Sequence, residues 1–67
     1  MMKITINGEQ KEFSSNFTLA EVLAKLSLEG KVMAAALNME IVKQDSWHVC
    51  ELRDGDKLEL LDFVGGG

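Results

Sequence analysis

Thr18-Leu19-Ala20-Glu21-Val22-Leu23-Ala24-Lys25-Leu26 is the stretch that decides the fold. Thr18 and Glu21 stand three apart, the spacing of a capping box. The Thr18 hydroxyl can accept from the Glu21 backbone N–H, and the Glu21 carboxylate can reach back to the Thr18 N–H. Leu19, Val22, Leu23 and Leu26 recur at i, i+3, i+4 and i+7, one apolar stripe of a helix. Gly30 lies beyond the last periodic residue and can stop the chain in a left-handed conformation. Upstream, Lys3-Ile4-Thr5-Ile6-Asn7 alternates polar and apolar residues, the pattern of a half-buried strand. Asn7-Gly8 follows, a strong two-residue hairpin signal because both residues tolerate positive φ. A returning strand over about Gln10 to Phe13 completes a hairpin. Downstream, Val32 to Leu37 is continuously apolar with three alanines. That run predicts a strand covered on both faces or packed closely under a helix. Asn38-Met39-Glu40 turns the chain, and Ile41-Val42 is a short apolar pair. Gln44 to His48 reads as a helical turn anchored by a buried Trp47. Arg53-Asp54-Gly55-Asp56 reads as a tight turn, and Lys57 to Val64 as the final strand.

A hairpin, one helix, and then further strands predict an α+β fold: a mixed sheet with one main helix packed on one face. This is the ubiquitin-like β-grasp arrangement. The reading gives a single domain over 1–64 and a flexible glycine tail over 65–67. Its core is expected to hold Ile4, Ile6, Leu19, Val22, Leu23, Leu26, Leu58 and Leu60.

Composition narrows the function classes. With 67 residues there is room for one small domain with a marginal core. Eleven acidic against seven basic residues give a net charge of −4, with no cluster of Lys or Arg. Nucleic acid and anionic membrane surfaces are therefore poor partners, whereas a basic protein surface suits an acidic chain. One cysteine, Cys50, and one histidine, His48, cannot build a disulfide framework or a Cys/His zinc site. The N-terminal residues lack the apolar region of a signal peptide. No apolar run approaches the ~20 residues that span a bilayer. A cytoplasmic location is expected.

The chemistry points to Gly65-Gly66-Gly67. At an average glycine usage of about 7%, three specified consecutive glycines arise by chance roughly three times in ten thousand. A frayed terminus is the plainer reading, but the position of the run directly after a strand favours a functional one. Glycine has no Cβ and is free in φ. A triglycine end can pass extended through a narrow channel and present its carboxylate in another protein's active site. A carboxylate needs activation, typically as an acyl-adenylate made from ATP. This chain has no phosphate-binding glycine loop between a strand and a helix, so a partner must hold the nucleotide.

Leu58, Leu60 and Val64 share one parity along the final strand; Leu61 and Phe63 share the other. With Leu58 and Leu60 facing the helix, Leu61 and Phe63 form a docking patch beside the tail, unless a bulge rotates them inward. Cys50 reads as a small core residue and not a nucleophile, and His48 as a surface residue. Asp54 and Asp56 flank Gly55 and read as turn formers.

The chain resembles the ThiS-type sulfur carriers of bacterial thiamine biosynthesis, within the ThiS/MoaD ubiquitin-like superfamily. The resemblance covers nearly the whole chain: Ile6-Asn7-Gly8, Thr18-Leu19, Ala35 to Asn38, Ile41-Val42 and Trp47. It is most specific at Asp54-Gly55-Asp56, Leu58 to Leu60, and Phe63-Val64-Gly65-Gly66-Gly67. It implies a β-grasp carrier, not a catalyst, that binds no cofactor of its own. An E1-like, ATP-using adenylating enzyme (ThiF-type) would activate the Gly67 carboxylate. Sulfur arriving by a cysteine desulfurase route would convert it to a thiocarboxylate, and a thiazole synthase (ThiG-type) would receive that sulfur. Gly66 and Gly67 would be the functional residues, and Gly65 would extend the tail. The alternatives are a MoaD-like small subunit of molybdopterin synthase, and a non-catalytic β-grasp interaction module. The MoaD branch usually carries paired prolines before its diglycine, where this chain has Leu61-Asp62-Phe63. Family members often carry a proline-basic pair where Lys43-Gln44 stands here.

Overall fold

The computed structural model describes residues 1–62. Strand β1 (Met2–Ile6) turns at Asn7-Gly8 into β2 (Glu9–Phe13). Both turn residues take positive φ, 50° and 87°, as a two-residue hairpin with the sheet's own twist requires. Helix α1 (Leu19–Lys25) opens on the expected capping box. Glu21 N–H donates to Thr18 Oγ1 at 3.2 Å, and Thr18 N–H donates to Glu21 Oε1 at 2.8 Å.

The helix closes earlier than expected and without its glycine. Leu26 is the C-cap, and Ser27 takes the left-handed conformation at φ 59°. Leu28 N–H donates to the Leu23 carbonyl at 2.8 Å and Ser27 N–H to the Ala24 carbonyl at 3.1 Å. These two bonds make a Schellman motif, with the apolar Leu28 folded back against the core. Gly30 does adopt a positive φ, but in the loop beyond this cap.

Strand β3 (Val32–Leu37) returns through Asn38-Met39 to the short β4 (Glu40–Val42). A 3₁₀ helix (Gln44–Val49) follows, and β5 (Lys57–Asp62) completes the sheet. Trp47 is buried in the 3₁₀ helix, as expected, and its indole N–H donates to the Val42 carbonyl at 2.8 Å.

The sheet order among the described residues is β2-β1-β5-β3-β4. Only the β1–β5 pair is parallel; β1–β2, β3–β4 and β3–β5 are antiparallel. This mixed sheet with α1 on one face is the ubiquitin-like β-grasp arrangement. The core lies between sheet and helix. Ile4, Ile6, Leu19, Val22, Leu23 and Leu58 are buried there, while Leu26 and Leu60 are half-buried at its rim. The expected anchor Trp47 joins them, and so do Met2, Phe13, Val32, Ala35 and Leu52 from outside the expected set.

The run Val32–Leu37 is covered on one face, not two. Val32 and Ala35 are buried, whereas Met33 is exposed and Ala34 and Ala36 are half-exposed. Alanine is small enough to stand on either face at little cost, so a continuous apolar run of this kind does not report double burial.

Candidate functional site

The site read from the sequence lies at and beyond the end of β5. Phe63, Val64 and Gly65 to Gly67 fall outside the described residues; the strand that leads to them is described to Asp62.

The approach to β5 is rigidly built. Gly55 takes a φ of 92° in the turn before it, a left-handed conformation that glycine adopts without strain. Lys3 N–H donates to Asp54 Oδ1 at 2.7 Å and Arg53 N–H to Asp56 Oδ2 at 2.8 Å. Asn38 Nδ2 donates to Asp56 Oδ1 at 3.0 Å. Both carboxylates therefore brace the turn, as expected, and stitch it to β1 and to the β3–β4 turn.

Along β5 the parity holds. Leu58 is buried and Leu60 half-buried on the helix side, while Leu61 is 60% exposed on the other. The bulge that could have turned Leu61 inward exists, but on the neighbouring strand. Val32 pairs with Asp62 and Ala34 with Leu61, so Met33 is the extra residue and β3 absorbs the slip. Leu61 stays outward.

The face it joins is divided. Toward β1 and β2 it carries charged side chains, with Lys3 Nζ 4.0 Å from Glu12 Oε2. Toward β3 and β4 it is apolar. Ala34 lies across from Leu61, and Ala36 stands between Glu59 and Ile41. Ile41 is 73% exposed. Ala34, Ala36, Ile41, Glu59 and Leu61 line a shallow depression of ≈ 170 Å³ whose floor the alanines keep low. Sequence reasoning found Leu61 but missed Ile41 and the alanines. Three consecutive alanines show no alternation, so the sequence held no signal of which of them face outward.

The remaining candidates are structural. His48 is exposed in the 3₁₀ helix, and Cys50 is half-buried as that helix's C-cap. Burial, and then the negative charge of Asp56, push the Cys50 thiol pKa up. A raised pKa keeps sulfur as the thiol, the form that is neither nucleophile nor good metal ligand. The backbone of Cys50 meanwhile docks α1, its carbonyl accepting from Leu19 N–H at 2.8 Å. No helix among the described residues is long and apolar enough to cross a membrane.

Comparison with known proteins extends this picture to residues that the geometry does not reach. The ThiS family model matches residues 4–67, the three glycines included. The sulfur carrier protein ThiS of Bacillus subtilis is 34% identical over 65 residues, covering 96% of this chain and 98% of that protein. A thiazole synthase of Paramagnetospirillum magneticum is 41% identical over 66 residues, covering 98% of this chain. The chain spans only 20% of that synthase's length. Among solved structures, a thiamine biosynthesis protein (ThiS) from Geobacter metallireducens superposes with a TM-score of 0.80 at 28% identity. That match covers 98% of this chain and all of the other.

Proposed function

The chain belongs to the ThiS family, and from that premise we propose that it is a sulfur carrier of thiamine biosynthesis whose reactive group is the carboxylate of Gly67. The observation that carries this reading is the family match over residues 4–67, which takes in Gly65, Gly66 and Gly67. The reaction follows from carboxylate chemistry. A Gly67 oxygen attacks the α-phosphorus of ATP in an E1-like, ThiF-type adenylating enzyme, and pyrophosphate leaves. A sulfur nucleophile equivalent to hydrosulfide, supplied through a cysteine desulfurase route, then attacks the acyl carbon. AMP departs with the electron pair of the broken C–O bond, and a thiocarboxylate remains on Gly67. ATP is held by the partner, and the carrier itself is the co-substrate. Gly66 and Gly65 give the carboxylate reach without side-chain bulk.

The recipient of the sulfur is a thiazole synthase. Supporting this, a segment similar to the present chain makes up 20% of a thiazole synthase of Paramagnetospirillum magneticum. Tethering two proteins raises their effective concentration to the millimolar range, which is useful where they must meet repeatedly. Leu61 and its outward neighbours Ile41, Ala34 and Ala36 form the docking face. The setting is cytoplasmic, where thiols and thiocarboxylates stay reduced.

The test is mass spectrometry of the intact protein after incubation with the adenylating enzyme, ATP and a sulfur source. The expected gain is the exchange of one oxygen for one sulfur, mapped to Gly67. One residue added after Gly67 moves the carboxylate by roughly 3.5 Å and should abolish the gain. A gain that survives the extension, or that follows Cys50, rules the mechanism out.

A further inference from the structure

Strand β5 is held from two sides, and the two sides end at different points. On the β3 side the ladder runs on to the Val32–Asp62 pair. On the β1 side the parallel ladder stops after the Ile6–Leu58 pair, where β1 turns into β2. Asn7 stands at that turn and takes over from the ladder. Its backbone N–H donates to the Leu58 carbonyl at 3.0 Å. Its carboxamide then meets both polar groups of Leu60. Leu60 N–H donates to Asn7 Oδ1 at 2.7 Å, and Asn7 Nδ2 donates to the Leu60 carbonyl at 3.2 Å. A side chain thus supplies the two bonds that one more strand residue would have made. The turn alone does not call for this, since glycine at the same φ of 50° would serve the hairpin equally.

We propose that Asn7 is a positioning residue for the reaction at Gly67, acting through Leu60. The role rests on the function proposed above. Among the described residues, Leu60 is the last point at which the β1 side grips β5, and the next residue, Leu61, belongs to the docking face. Grip and docking face are therefore one residue apart on the same strand. Once a partner seats Leu61, the clamp and the β3 ladder together fix the direction of β5 relative to that partner. Without the carboxamide, the grip on the β1 side falls back from Leu60 to Leu58, about 7 Å of strand. Displacements of ~1 Å at a reacting centre can cost ~10²-fold in rate.

Asn7→Gly removes the carboxamide and keeps a turn that glycine pairs favour. Amide hydrogen exchange at Leu60 should speed up about fivefold, the loss of one neutral hydrogen bond, with Thr5 and Ile6 unchanged. In steady-state adenylation by the E1-like enzyme, kcat should fall about tenfold while KM stays within about twofold, because the docking face is intact. Asn7→Asp, which keeps the acceptor for Leu60 N–H, should recover most of the protection and of kcat. An unchanged kcat in Asn7→Gly overturns the positioning role, as does a raised KM at constant kcat, which would make Asn7 a docking residue. Failure of the wild-type protein to be adenylated at Gly67 is a different result: it removes the function on which the role rests.

Discussion

Leu61→Ala should weaken partner binding far more than it weakens the fold. Leu61 is 60% exposed, so about two-fifths of it is covered. Full burial of a leucine side chain contributes roughly 1.5–3 kcal/mol, and two-fifths of that is about 0.6–1.2 kcal/mol. Alanine keeps the Cβ, so the loss of folding stability should stay below about 1 kcal/mol. Leu23, on the inner face of α1, is 3% exposed. Leu23→Ala leaves a cavity in the core and should cost about 2–5 kcal/mol, a large share of the roughly 5 kcal/mol that a domain this small can muster. In an interface the order reverses. An apolar anchor that becomes fully covered typically contributes about 1–2 kcal/mol or more, and every 1.4 kcal/mol is tenfold in Kd. Urea unfolding of both variants at unchanged m-value, together with titration calorimetry against the thiazole synthase, reads the two effects separately. A Leu61→Ala midpoint as low as that of Leu23→Ala would place Leu61 in the core. A Kd unchanged from wild type would remove the docking role of this face.

Ser27→Gly should raise stability by about 0.5–1 kcal/mol, because Ser27 sits at the Schellman position with φ 59°, where a Cβ is strained and glycine is not; an unchanged or lower thermal midpoint would contradict that reading of the cap. The protein should lose stability as pH rises past the ordinary thiol range. The folded state holds the Cys50 proton that the unfolded chain releases first, so above that range the unfolded state binds fewer protons and gains ground. Cys50→Ala should flatten this alkaline limb relative to wild type, and parallel pH–stability curves would show that the thiol does not contribute.

Local signals in the sequence translated directly into structure. The capping box of Thr18 and Glu21 and the Asn7-Gly8 turn depend on residues a few positions apart, so their chemistry is complete within the window that displays it. The parity of β5 also carried over, and with it the exposure of Leu61. What stayed hidden depends on distant partners or on permissive residues. The Asn7 carboxamide meets Leu60 at a separation of 53 residues, and nothing near Asn7 announces it. The β3–β4 turn stands where Asn38-Met39-Glu40 placed it, but its tight form, with Asn38 and Met39 at φ 51° and 73°, has no glycine to announce it. The helix end was misplaced because Ser27 accepts a conformation usually given to glycine. The bulge at Met33 was anticipated only as a general hazard, because the register between β3 and β5 is a property of the pair.

The order of strands in space has a consequence for how the protein is made. β5 is the last described strand to be synthesised, yet it is the central one, lying between β1 and β3. Before it emerges from the ribosome, the β1–β2 hairpin and the β3–β4 hairpin have no strand in common. Ile4, Ile6 and Ala35 then lack Leu58, the residue that β5 contributes to the buried core between them. Closure requires Thr5 to find Lys57 across nearly the whole chain, the kind of distant pairing that slows folding and leaves apolar surface exposed while it is pending. The nascent chain therefore cannot mature in stages. The two hairpins stay unjoined, with the core between them open, until the strand next to the glycines is out.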